Sequence, residues 1–148
     1  VCFSGRVIKP SVHIGCANGH TLKVPAIAFE ELDRQDNTRQ QGKSGITIVV
    51  SPLIALMKDQ VDALKKKGIS AELMASTSDW QEMQRINDSI RRGQCRLLYC
   101  APERLNNEGF VEMMKTVNGG VRLVGVDEAH CISEVCMSTL LSVDVDSC

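Results

Sequence analysis

From Gly45 onward, apolar and polar positions alternate in two kinds of block. Ile46-Thr47-Ile48-Val49-Val50 is a short β-branched run, the pattern of a buried strand. Ser51-Pro52 ends it and predicts a helix start, with Ser51 as cap and Pro52 in the first turn. Leu53, Met57, Val61 and Leu64 recur at helical spacing, with Lys58, Asp59 and Asp62 on the opposite side. Lys65-Lys66-Lys67 close this helix where cations suit the negative end of its dipole, and Gly68 suits the cap. The rhythm continues with a strand over 69–75, a helix over 79–92 that stops at Gly93, and a strand over 96–100. A helix then begins at Ala101-Pro102-Glu103 and runs to Val117, Asn118-Gly119-Gly120 turn, and 121–126 form the last strand. Strands alternating with helices of this length predict an α/β fold, a parallel sheet flanked by helices.

The first 44 residues are less regular. Residues 1–20 show no period and no evident strand, and 22–29 are apolar. The stretch from Asp33 to Ser44 carries charges and amides with no apolar side chain, so it reads as a solvated connector.

Composition narrows the picture. With 148 residues and 43% hydrophobic content the chain can build about one packed core, and with one Trp, one Tyr and three Phe that core must be aliphatic. A net charge of −1 gives no overall basic field, so any nucleic-acid contact must rest on local patches. The seven cysteines include no Cys-x-x-Cys pair and none near a His pair at zinc spacing, which argues against a zinc site. Cys95 and Cys100 flank an apolar run and read as reduced, buried thiols of an intracellular protein. No run approaches the ~18 apolar residues of a membrane span. Arg6 and Lys9 have no apolar block behind them, so no signal peptide is expected. Lys65-Lys66-Lys67 and Arg91-Arg92 fall in last helical turns, where dipole capping explains them.

The most informative residues are Asp127-Glu128-Ala129-His130, at the carboxyl end of the last apolar strand. Ligands of open parallel sheets bind at that edge. An Asp there can hold Mg²⁺, and an adjacent Glu can orient and polarise an attacking water.

Three segments carry a resemblance. Asp127-Glu128-Ala129-His130 with Cys131-Ile132-Ser133-Glu134 resembles motif II of the RecQ family of superfamily 2 helicases. Val50-Ser51-Pro52-Leu53-Ile54-Ala55-Leu56-Met57-Lys58-Asp59-Gln60-Val61 is similar to motif Ia of that family, and Leu97-Leu98-Tyr99-Cys100-Ala101-Pro102-Glu103-Arg104-Leu105 to its next signature. The resemblance covers residues 45–134 in the family's motif order. It implies a partial RecA-like domain of the P-loop NTPase type, in a 3′–5′ DNA helicase that uses ATP and Mg²⁺ for recombination and repair. Carried over by position, Asp127 would hold Mg²⁺ with the nucleotide phosphates, Glu128 would activate the hydrolytic water, and His130 would link the nucleotide to the DNA-contacting elements. Ser51, Pro52, Lys58, Pro102 and Arg104 would face single-stranded DNA, with Glu103 on the same rim; Ser76 and Thr77 read as a plain loop. The implied address is the nucleus in a eukaryote and the cytoplasm otherwise.

The chain also departs from the family. Gly42-Lys43-Ser44 lacks the Gly five positions earlier, where Asn37 stands, and precedes a strand rather than a helix, so it reads as a surface connector. Val24-Pro25-Ala26 fits the segment that follows the family's phosphate loop. Counting back puts Asn18 in place of the phosphate Lys, Gly15-Cys16-Ala17 in place of the glycine run, and Gly19 in place of the Mg²⁺-binding hydroxyl. After Glu134 the family's Trp and aromatic-rich loop are replaced by Val135-Cys136-Met137. The organisation expected is a divergent segment over 1–20, a partial ATP-binding domain over 21–134, and a divergent tail over 135–148. The second RecA-like domain with its arginine finger is missing, so an inactive, truncated helicase fragment is expected. The alternative is a non-enzymatic, helicase-derived module that binds nucleic acid or a partner.

Overall fold

Five strands form one parallel sheet: β1 (Ser11–Ile14), β2 (Ile46–Val50), β3 (Ala71–Met74), β4 (Leu97–Cys100) and β5 (Val121–Val126), in the spatial order β1-β5-β2-β4-β3. The computed structural model describes residues 11–14, 45–75, 79–117 and 120–127. Helices α1 (Ile54–Lys66), α2 (Trp80–Arg91) and α3 (Glu108–Lys115) complete the described elements, with a 3₁₀ turn over Pro102–Asn106. The α/β fold expected from the alternating blocks is therefore present. The apolar segment 22–29 and the Gly42-Lys43-Ser44 connector lie outside the described residues.

Strand side chains alternate between two cores. Val49, Ala71, Leu97, Tyr99 and Ala101 meet Met57, Val61 and Leu64 of α1 on one face. Ile46, Ile48, Val50, Leu98, Cys100, Val124 and Val126 meet Ile86 and Ile90 of α2 and Phe110 and Met114 of α3 on the other. Burial on both faces explains why β2 and β4 show no alternation of polar and apolar positions, with Thr47 the one polar residue of the two strands.

Four expectations need correction. The sheet gains a strand from the segment that showed no period: β1 pairs parallel with β5, with Ile14 opposite Val126. Its Ser11-Val12-His13-Ile14 sequence carries two polar residues, so no apolar run marks it as a buried strand. Secondly, Ser51 is not the cap of α1; Leu53 occupies that position, and it is half exposed rather than facing the core. The Ser51 hydroxyl is turned to other partners, and the inward face of α1 is completed by Gln60 instead. Thirdly, the helix expected over 101–117 is broken in two at Asn107. There the backbone is extended and the Asn107 carboxamide oxygen accepts from the Phe110 amide at 3.1 Å, so the chain restarts as a new capped helix. Lastly, the strand expected over 69–75 is limited to Ala71–Met74.

The other boundaries match to about one residue, with β4 starting at Leu97 rather than Arg96. Asp79 caps α2 by accepting from the Trp80 amide at 2.7 Å. Gly68 follows α1 at φ +77°, where a Cβ would be strained. Lys65, expected as a dipole cap, also donates to Glu72 on edge strand β3 at 2.9 Å, and Arg85 of α2 reaches the same carboxylate at 3.3 and 3.4 Å. Both cations are substantially exposed, so each contact contributes about 0–1 kcal/mol. Their effect is geometric: they wrap an inward-pointing charge around a sheet edge, which disfavours pairing with another chain.

Burial raises the Cys95 and Cys100 thiols from 9.0 to about 12. The protonated thiols read from sequence are thus inert groups in the core. Raised values favour the folded state below pH 9, and that contribution is lost as pH rises towards 12. In denaturant titrations across the alkaline range, the unfolding midpoint should therefore fall above pH 9 and less steeply in Cys95→Ala. Peptide-resolved alkylation at neutral pH should leave Cys95 and Cys100 unmodified until denaturant is added.

Candidate functional site

The register lines up the strand ends. Ile14, Val126, Val50, Cys100 and Met74 form one row across the sheet at its carboxyl edge. One residue further on, the Asp127 amide still donates to the Val50 carbonyl at 2.8 Å and the Ser51 amide to the Cys100 carbonyl at 3.2 Å. Main-chain pairing therefore persists one position beyond the strands and fixes where the next side chains leave the sheet. These are Asp127, Ser51, Ala101 and Ala75, so one carboxylate stands among small residues.

Alternation turns Asp127, two residues after Gly125, and Ser51, two after Val49, towards the α1 side. The Ser51 Oγ donates to Asp127 Oδ2 at 3.5 Å, the long limit of a hydrogen bond, and accepts from the Leu53 amide at 3.3 Å. Ser51 is 2% exposed and Asp127 6%. Among the described residues no cation is paired with the Asp127 carboxylate. Buried charges are ordinarily paired or coordinated to metal.

On the same α1-covered face of the sheet lies Tyr99, which in sequence reads as plain core. Tyr99, directly before the Cys100-Ala101 strand end, is 1% exposed, and its hydroxyl finds no hydrogen-bond partner among the described residues. Burial pushes its phenol from 10.0 to about 12, and the Asp127 carboxylate adds to the rise. An apolar run gives no hint that one of its members carries an unsatisfied hydroxyl.

The proposed nucleic-acid residues separate into two groups. Pro52 is half-buried and Lys58 exposed beyond Ser51. Lys58 borders a cavity of about 230 Å³ with Ile54, Asp62, Lys65, Glu72 and Glu82. Arg104 is a strut: Nη2 donates to the Ala75 carbonyl at 2.7 Å and to Met83 Sδ at 3.7 Å, tying the 3₁₀ turn to the end of β3 and the start of α2. Pro102 opens that turn. Glu128, His130, Ser76 and Thr77 lie outside the described residues.

The donor set fits a particular kind of metal. No cluster of three potential metal ligands occurs among the described residues. Mg²⁺ is commonly held by one or two carboxylates, with waters and substrate phosphates completing its shell. One buried carboxylate, with no described cation paired to it and a hydroxyl beside it at the sheet's carboxyl edge, matches that habit better than a protein-only cage.

The family model described as DEAD/DEAH box helicase matches residues 12–142. The ATP-dependent DNA helicase RecQ of Bacillus subtilis is 41% identical over 112 residues, covering 76% of this chain and 16% of that protein. The RecQ helicase of Haemophilus influenzae is 34% identical over 125 residues, covering 83% of this chain and 18% of that one. The ATP-dependent DNA helicase Q-like 5 of Arabidopsis thaliana is 41% identical over 90 residues, 61% of this chain and 10% of its own. The chain thus spans 16–18% of the length of the two bacterial relatives.

Removing the Arg104 strut leaves the Ala75 carbonyl without its guanidinium partner, so Arg104→Ala should cost about 1–3 kcal/mol of stability in denaturant titrations. Unchanged stability in that variant would show that the guanidinium is free to serve DNA instead.

Proposed function

Because the chain belongs to the DEAD/DEAH box helicase family, we propose that it forms the nucleotide- and DNA-facing edge of a RecQ-type first motor domain, the kind that couples ATP hydrolysis to unwinding. The observation that carries this reading is the buried Asp127 carboxylate, unpaired with any described cation and within 3.5 Å of Ser51, at the end of a central parallel strand.

In this reading Asp127 holds the Mg²⁺ of a bound nucleotide, and Ser51 steadies the carboxylate from the neighbouring strand. Glu128, the next residue, orients the attacking water, and His130 passes the state of the nucleotide site to the DNA-contacting rim. Bound Mg²⁺-ATP supplies the phosphoanhydride bond whose hydrolysis drives strand separation. Ser51, Pro52, Lys58, Pro102 and Arg104 belong to the elements that form the single-strand rim. Ser51 and Arg104 act there by shaping the backbone, since both side chains are already engaged. Pro52 and Lys58 offer the accessible surface.

A second reading rests on Asn18, which stands where the phosphate Lys belongs. Without that Lys and its glycine-rich loop, the β- and γ-phosphates lose their main cradle. A helicase-derived module that binds nucleic acid without turnover follows from the same edge.

Titration of the 148-residue chain with a fluorescent ATP analogue and Mg²⁺ separates the two. The motor reading expects weak, Mg²⁺-dependent binding that Asp127→Asn reduces at least about tenfold, roughly 1.4 kcal/mol. Binding indifferent to Asp127 would defeat the assignment of the metal ligand. Hydrolysis should be no faster in the unaltered chain than in Glu128→Gln; turnover abolished by that substitution would show that phosphate capture survives without a Lys at position 18. Salt-dependent binding of single-stranded DNA with no response to nucleotide would favour the module.

A further inference from the structure

Trp80 is used neither by the packing of the sheet nor by the proposed reaction. It is the chain's sole tryptophan and is 71% exposed, although tryptophan is ordinarily well buried. Its place is nevertheless fixed. Trp80 opens α2, where its amide donates to the Asp79 carboxylate at 2.7 Å. Arg104 Nη2 ties down the same end of the helix, through the Ala75 carbonyl at 2.7 Å and Met83 Sδ at 3.7 Å. Ala75 follows Met74 out of β3, so Trp80 stands at the β3 end of the edge that carries Ser51 and Asp127.

Helical spacing sets its neighbours. At about 100° per residue, Gln84, Asn87 and Arg91 follow Trp80 along one stripe of α2. Met83, Ile86 and Ile90 turn to the core on one side of it. On the other side Glu82 lines the cavity with Leu73 and Ala75, and Arg85 bonds Glu72 of the edge strand. The stripe takes part in neither. Trp80, Gln84 and Arg91 are exposed and Asn87 is half-buried. Asn87 Oδ1 is shielded from solvent yet accepts no hydrogen bond among the described residues. No described ion pair engages Arg91.

An aromatic face, two carboxamides (one with an orphan acceptor) and a guanidinium thus run down about 16 Å of helix. A nucleotide matches that set, since its base offers a π-face and edge donors and its phosphate offers charge. A protein surface matches it less well, because Trp80 is the stripe's one large apolar side chain.

We propose that this stripe is a stacking track for single-stranded DNA: Trp80 stacks a base, Asn87 accepts from a base edge and Arg91 meets a phosphate. The track rests on the reading of the carboxyl edge as the DNA-facing one, and carries the strand from that edge down α2. Asp79 precedes Trp80 and Asp88 lies beside the stripe, so stacking rather than charge supplies the affinity at Trp80.

The sole tryptophan reports directly on the test. Binding of an oligothymidylate to the 148-residue chain should quench Trp80 fluorescence and shield the ring from acrylamide. Trp80→Ala should weaken binding about fivefold or more with its salt dependence unchanged, and Trp80→Phe should keep most of the affinity. Arg91→Ala should instead lower the slope of log affinity against log salt by about one. Both side chains are exposed, so neither variant disturbs folding. Unchanged fluorescence at saturation, or full affinity in Trp80→Ala, would overturn the proposal. Self-association that Trp80→Ala abolishes, with DNA binding untouched, would assign the face to a second copy and overturn it equally. Lys58→Ala is a separate arm for the rim. Affinity lost there with Trp80 silent strikes the track and leaves the edge reading standing. Quenching of Trp80 that is indifferent to Lys58→Ala keeps the track and strikes Lys58 from the rim. An oligonucleotide that does not bind at all ends both.

Discussion

The hydrogen bond from the Asp127 amide to the Val50 carbonyl, 2.8 Å long, is the constraint on which the rest depends. It extends the pairing of β5 with β2 past the end of the strand and fixes the carboxylate beside Ser51 before any ligand arrives. Without that last rung, Asp127 would be the first residue of a loop, free to turn to water. With it, a charge is held in a nearly dry position, where it is costly unless a cation is supplied. Stability and chemistry therefore oppose each other at one residue, as expected where a site is built to bind something absent from the chain itself.

Much of the fold could be read from residues because its signals are local. Apolar runs bounded by Ser-Pro, Ala-Pro and Asn-Gly-Gly identify β2, β4 and β5, β-branched in β2 and largely so in β5, and Asp79 and Gly68 mark helix ends by their own chemistry. Failures came where a decision is made at a distance. Ser51 looks like a cap until its hydroxyl is claimed by Asp127, 76 residues away. Asn107 breaks a helix that composition alone would continue. β1 pairs with β5, more than 100 residues away, and Ser11-Val12-His13-Ile14 has no apolar run to advertise that pairing.

The candidate site divides along the same line. Asp127 and Ser51 stand out in sequence because motif position and strand ends agree, and their side chains lie 3.5 Å apart. Arg104 carries a motif identity that suggests a ligand contact, yet its Nη2 is bound to the Ala75 carbonyl just past β3 and to the sulfur of Met83. Tyr99 was missed because a tyrosine in Leu97-Leu98-Tyr99-Cys100 counts as an apolar core residue, and only burial reveals that its hydroxyl lacks a partner. A motif marks the neighbourhood of a function; the hydrogen bonds decide which atoms remain available for it.

Amide hydrogen exchange at Asp127, followed residue by residue under native conditions, tests the central constraint most directly. Protection comparable with that of Val124 and Val126, lost only with unfolding of the sheet, is the result this account requires. Exchange at the rate of an open loop would contradict it, because the carboxylate would then have no fixed place beside Ser51.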